Sequence, residues 1–136
     1  MSIKILVTGT AGFIGYHLVK KLVTLDQDFI IYGIDNINDY YDIKLKLDRL
    51  LDCGIEEIKE NIMIQSKKYN NYYFIKADIE DKNSLTDLFS KYQIDYVYHL
   101  AARAGVRSSI DNPELYANTN IIGFINIIEC CRQFQT

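Results

Sequence analysis

The sequence predicts an α/β fold in which a parallel sheet is covered by helices through right-handed crossovers. Three observations carry this: strand-like and helix-like segments alternate four times, a glycine-rich turn joins the first strand to the first helix, and an aspartate ends the second strand. The first strand is Ile3 to Thr8 (IKILVT). From Phe13 onward the apolar positions become Ile14, Leu18, Leu22 and Leu25, so period two gives way to helical spacing. Phe29 to Ile34 (FIIYGI) is a second strand, stopping at Asp35 in the polar stretch DNIND. Ile43, Leu47, Leu50 and Leu51 then mark a helix over about Tyr40 to Cys53, with Gly54 suited to a left-handed C-terminal cap.

Residues 55–70 carry Ile55, Ile58 and Ile62 among charged residues and read as a weak surface helix or an insertion. Tyr72 to Ala77 is the third strand, and Asp81 can cap a helix carrying Leu85, Leu88, Phe89 and Tyr92 on one face. Tyr96 to Leu100 is the fourth strand. Asn112 and Pro113 read as an N-cap followed by proline at the first helical position of a helix that runs to the end of the chain.

Composition narrows the function classes. The 136 residues are 49% hydrophobic and 24% charged, which suits one domain over residues 1–136. The net charge is −3 and the basic residues do not cluster, so neither nucleic acid nor an anionic membrane is an expected partner. Neither a signal peptide nor a membrane span is visible. Cys53, Cys130 and Cys131 are odd in number and lack metal-ligand spacing. Free thiols in a reducing cytoplasm, with no metal, are the expectation.

Gly9, Gly12 and Gly15 form a GxxGxxG turn (GTAGFIG) that opens the first helix. The first glycine permits the tight turn, the second allows backbone to approach a pyrophosphate, and the third lets helix and strand pack closely. A turn that merely requires small residues would look the same. Asp35, twenty residues beyond Gly15, supplies the context: it stands where a dinucleotide site places the acid that binds the adenosine ribose. That carboxylate would repel a 2′-phosphate, and Thr10, Ala11 and Asn36 offer no compensating cation, so NAD is favoured over NADP.

The stretches VTGTAGFIG, GIDNINDYYDIKLKLDRL, KADIED, HLAARAGVRSSIDNP and YANTNIIGFINIIE together resemble the extended short-chain dehydrogenase/reductase family. Within it they are most similar to NAD-dependent nucleotide-sugar epimerases and dehydratases, above all UDP-glucuronate 4-epimerases. The resemblance implies a Rossmann-like doubly wound parallel sheet, truncated here after the fourth strand and its helix. It implies that Gly9, Gly12, Phe13, Ile14 and Gly15 surround the cofactor phosphates, that Asp35, Asn36 and Asn38 surround the adenosine ribose, and that Asp78 and Ile79 flank the adenine. Leu100, Ala101 and Ala102 would pass beneath the cofactor, and Asn120 would face it from the last helix. Small residues at the end of a strand, Ala104 included, suit that close approach in their own right. Arg103 stands where the subfamily is expected to carry glutamine. Arg107 could hold a sugar carboxylate or phosphate of a UDP-sugar substrate, or be a solvated surface arginine.

Family chemistry uses a tyrosine and a lysine in a YxxxK signature. The pairs Tyr16/Lys20, Tyr40/Lys44 and Tyr72/Lys76 match the spacing, but lie on the first helix, beside the ribose loop and across a strand. None is in the family's place after a fifth strand, so no catalytic residue is expected in this chain, and His17 and His99 read as structural. A cytoplasmic homo-oligomer is implied, since the last helix carries more isoleucine than one buried stripe requires.

Overall fold

The computed structural model describes residues 1–25 and 27–136. In chain order the elements are β1 (Ile3–Thr8), α1 (Phe13–Val23), β2 (Phe29–Asp35), α2 (Ile43–Asp52), β3 (Met63–Gln65), β4 (Tyr72–Lys76), α3 (Lys82–Tyr92), β5 (Tyr96–His99), α4 (Val106–Asp111), α5 (Pro113–Ala117) and α6 (Phe124–Phe134). A π-helical stretch, Asn118–Gly123, joins α5 to α6. The sheet order is β3-β4-β2-β1-β5. The four longer strands run parallel, with Ile5 opposite Ile31 on one side and Tyr96 on the other.

Strand periodicity sorts the core into two layers. Ile5 and Val7 of β1, Ile31 of β2, and Tyr72 and Phe74 of β4 pack with Val19 and Leu22 of α1 and Leu50 of α2. The intervening residues Leu6, Tyr32, Ile34 and Ile75 point to the other face, against Leu85, Leu88 and Phe89 of α3 and Ile127 and Cys130 of α6. Alternate side chains therefore feed opposite faces, as a doubly wound sheet requires.

The sequence reading needs three corrections. The sheet has five strands, not four, because the segment read as a weak surface helix or an insertion contains β3, which pairs antiparallel with β4 through Met63↔Ile75 and Gln65↔Tyr73. With three residues it is too short to show an alternation of its own, and its pairing comes from the open edge of β4. The second helix starts at Ile43 rather than Tyr40, because the Asp42 carboxylate accepts the amide of Lys44 and caps it there. The last helix runs from Pro113 to Phe134 without a break, but not as a uniform α-helix. Its middle is the π-helical stretch, and a short helix, α4, precedes it.

Other local expectations hold. Asp81 caps α3 by accepting the amides of Asn83 and Ser84. Gly54 follows α2 with φ +80. Pro113 starts α5, although the Asn112 side chain makes no capping bond. Ile121, Ile122, Phe124, Ile125 and Ile128 are all exposed.

Candidate functional site

The sheet order reverses direction between β1 and β5, where the crossovers leave on opposite faces and open a crevice at the carboxyl ends of the strands. A cleft of about 180 Å³ lies there. Gly9 and Gly12 form its floor. Ile34, Asp35, Asn36 and Asn38 wall one side, and Leu100, Ala101, Ala102 and Ala104 the other.

The glycine turn has no room for side chains. A Cβ on Gly15 would lie 2.1 Å from the Gly9 carbonyl oxygen, and one on Gly9, at φ +75, would lie 3.0 Å from the Ala101 amide nitrogen. No side chain caps α1. Its first-turn amides therefore remain free for an acceptor from outside, and the helix dipole adds positive potential.

Asp35 is tied into that turn. One carboxylate oxygen accepts the Ala11 amide at 2.9 Å and the other accepts the Ile37 amide at 2.8 Å. Each oxygen keeps a second lone pair for a ligand hydroxyl. Burial pushes the Asp35 carboxyl above its ordinary value, opposed by those two amides and by the charge of Lys46. Ile37 adopts φ +52, a conformation that a β-branched residue rarely takes. The bond to Asp35 and the one from the Asn38 amide to the Asn36 side chain hold the loop in that shape.

The opposite wall is pinned by polar contacts. Thr8 Oγ1 accepts the amides of Leu100 at 3.0 Å and Ala101 at 2.9 Å and lies 2.8 Å from His99 Nδ1. Because the hydroxyl oxygen already accepts twice, its proton goes to Nδ1, which makes His99 a neutral acceptor there. Burial lowers the His99 pKa in the same sense. Farther along, the Asn120 side chain accepts the Arg103 amide at 2.8 Å and donates to the Arg103 carbonyl at 2.9 Å. Tyr116 donates to the Ala104 carbonyl at 2.8 Å.

The structure therefore gathers Gly9, Gly12, Asp35, Asn36, Asn38, Ile79, Leu100, Ala101, Ala102 and Ala104 around one space. Phe13 and Ile14 are not among its lining residues, and their side chains point outward, about two-thirds exposed. Gly15 is behind the turn. Asp78 accepts the side-chain amide of Asn36 at 2.9 Å and so buttresses the wall from outside. Asn120 holds the backbone at Arg103 rather than lining the cleft, and Arg107 is exposed on α4. Sequence reasoning passed over Tyr40, Tyr41, Lys46, Arg103 and Thr119 as lining residues. Lys46 carried one available signal: it is a charge on the apolar side of its helix, where Leu50 is buried four residues later.

None of the three Tyr/Lys pairs forms a proton-transfer site in the cleft. Tyr16 and Lys20 both bond Asp52, Lys44 pairs with Asp48, and Lys76 pairs with Glu60. Burial pushes the Cys53 thiol up to about 11. Among the described residues no group of three His, Cys, Asp or Glu could hold a metal ion, and no helix is long and apolar enough to cross a membrane.

Comparison with known proteins gives this geometry a setting. Residues 6–136 match the family model described as GDP-mannose 4,6 dehydratase. Protein CapI of Staphylococcus aureus is 46% identical over 132 residues, which are 97% of this chain and 35% of that protein. A UDP-glucuronate 4-epimerase of Thermodesulfobacterium geofontis is 40% identical over 95% of this chain and 35% of its own length. Among solved structures, UDP-glucuronic acid 4-epimerase from Bacillus cereus, in complex with UDP-glucuronic acid and NAD, superposes with a TM-score of 0.74 at 32% identity. That match covers 95% of this chain and 36% of the other. The chain thus spans about a third of the length of the curated relatives it matches. With a glycine turn, a strand-end aspartate and a switch-point cleft in one sheet, and a family model matched over nearly its whole length, this chain belongs to the extended short-chain dehydrogenase/reductase family, in its nucleotide-sugar epimerase and dehydratase branch.

Proposed function

We propose that this chain is the NAD-binding part of a nucleotide-sugar 4-epimerase similar to UDP-glucuronate 4-epimerases. The observation that carries the reading is the cleft itself, in which uncapped α1 amides, a carboxylate with two spare lone pairs and an alanine-lined wall surround one space. These residues fit a dinucleotide. The first-turn amides of α1 suit the diphosphate, Asp35 suits the adenosine ribose hydroxyls, and the absence of a Cβ at Gly9 and Gly12 leaves room for close approach. NAD, when bound, supplies a reversible hydride acceptor for the sugar. In this chain Asp35 would hold the ribose, the Thr8, Asn120 and Tyr116 contacts fix the wall after β5, and the small side chains of that wall would leave room for the cofactor. Arg107 is the proposed contact to a UDP-sugar carboxylate or phosphate.

The complete enzyme is proposed to be a cytoplasmic homo-oligomer, a state supported by the exposed isoleucines from Ile121 to Ile128. A nucleotide-sugar 4,6-dehydratase is the second reading, favoured by the description of the matching family model. A stand-alone NAD-binding module without catalysis would use the same cleft.

Titration calorimetry of the chain with NAD and NADP tests the reading. NAD is expected to bind at least about tenfold more tightly, because Asp35 accepts hydroxyls and repels phosphate. Equal affinity, or a preference for NADP, overturns it. The same protein with saturating NAD is expected to leave UDP-sugars unchanged by chromatography, since none of the three YxxxK pairs forms a proton-transfer site in the cleft.

A further inference from the structure

Lys46 is a charged side chain in an expensive place. It is 4% exposed, in the first turn of α2, where the helix dipole disfavours a cation. Its ammonium donates to the Asn38 carbonyl and to Asn38 Oδ1, both at 2.8 Å. An ammonium has three N–H groups, and these two bonds leave one over. Lys46 lines the same cleft as Asp35, Asn36 and Asn38, on the wall where a ribose would lie. The charged groups facing it are Asp35 and Asp39 on one side of the ledger and Arg103 and Arg49 on the other. Burial lowers its pKa, and the Asp35 carboxylate is the chief group opposing that shift. Asn38 could be held by a neutral donor at far smaller desolvation cost, so shaping the loop does not by itself account for a buried charge.

We propose that Lys46 is a cofactor-specificity residue, paired with Asp35 across the ribose wall of the cleft. The carboxylate selects ribose hydroxyls, and the ammonium cancels its charge and offers its remaining N–H to a ribose oxygen. Without the carboxylate, the same ammonium makes the wall a receptor for a 2′-phosphate. Thus Asp35 does not merely repel NADP. It masks a cation that would otherwise recruit it. This rests on the reading of the cleft as a dinucleotide site.

A double-mutant cycle measured by calorimetry tests the pairing, using the whole chain as wild type, D35A, K46M and D35A/K46M, with NAD and NADP as titrants. K46M is expected to weaken NAD about tenfold, the scale of a lost charge-assisted hydrogen bond. D35A is expected to move the NAD-to-NADP affinity ratio towards NADP by about a hundredfold in the Lys46 background, and by about tenfold or less in the K46M background. K46R, which keeps the charge, should retain most of the shift, and a K46Q cycle replaces K46M if the latter fails to fold by circular dichroism. If D35A moves the ratio equally with and without Lys46, the residue only props the loop and the proposal falls. If the wild-type chain binds neither dinucleotide, the reading of the cleft falls first and takes this inference with it, a failure seen before any substitution is made.

Discussion

The two walls of the cleft are built in different ways. The wall after β2 grows from the centre of the sheet, with Ile34 and Ala77 buried beneath it and Asp35 bonded into the glycine turn. The wall after β5 grows from an edge strand whose Tyr96 and Tyr98 are exposed, and it continues into α4 and α5, neither of which has a buried residue. The first wall is held by packing on both faces of the sheet. The second is held by a few side chains, chiefly Thr8, Asn120 and Tyr116, reaching the backbone of residues 100–104. The cleft thus has one densely supported wall and one sparsely supported wall.

Substitutions at the two walls should separate these regimes. The largest effect is expected at Gly15→Ala, where the new Cβ would lie 2.1 Å from one backbone atom and 2.8 Å from another. Backbone cannot yield as a side chain does, so a loss of about 3 kcal/mol or more is expected in urea unfolding. A smaller effect belongs to Thr8→Val, which is nearly isosteric but strands the Leu100 and Ala101 amides and the His99 acceptor. It should cost about 2 kcal/mol and speed hydrogen exchange at residues 100–101 while leaving the glycine turn protected. Equal loss of protection at both walls would contradict the comparison.

Gly105→Ala is expected to cost less, about 1–2 kcal/mol, because the atom it would strike is the hydroxyl of Tyr40, the end of an exposed side chain. The cost comes from the φ of +108 at Gly105. The smallest effect is one of pH. Burial lowers the folded-state pKa of His99, so the unfolded chain takes up its proton first. His99 therefore contributes stability above its ordinary value of about 6.5, and that contribution is lost as the pH falls from there towards the lower folded value. Urea midpoints at pH 7.5 and 5.5 should show the decline in wild type and a flatter response in His99→Gln.

Much of the first wall was legible in the sequence. Gly9, Gly12 and Asp35 are read from spacing and strand context because a tight turn, a close backbone approach and a strand-end carboxylate are local demands on the chain. The second wall was read only in outline. The alanines could be placed, but the bonds of the Asn120 side chain to the Arg103 backbone could not. That contact joins residues seventeen apart, from inside a π-helical stretch back to the loop before α4, and no local periodicity encodes it.

The sequence by itself determined the alternation of strands and helices, the two-faced core and the glycine turn, since each follows from side-chain period or from glycine's freedom within a few residues. Only the tertiary structure decided that Met63–Gln65 is a strand, because its partner is the otherwise open edge of β4. Only the tertiary structure put Lys46 in the cleft as well. The segment reads as an amphipathic helix with a lysine on it, and what makes that lysine a buried cation beside Asp35 is the loop folded over it, eight residues back from Lys46 to Asn38. Burial of a charge is a property of everything packed around it, and no segment carries that information alone.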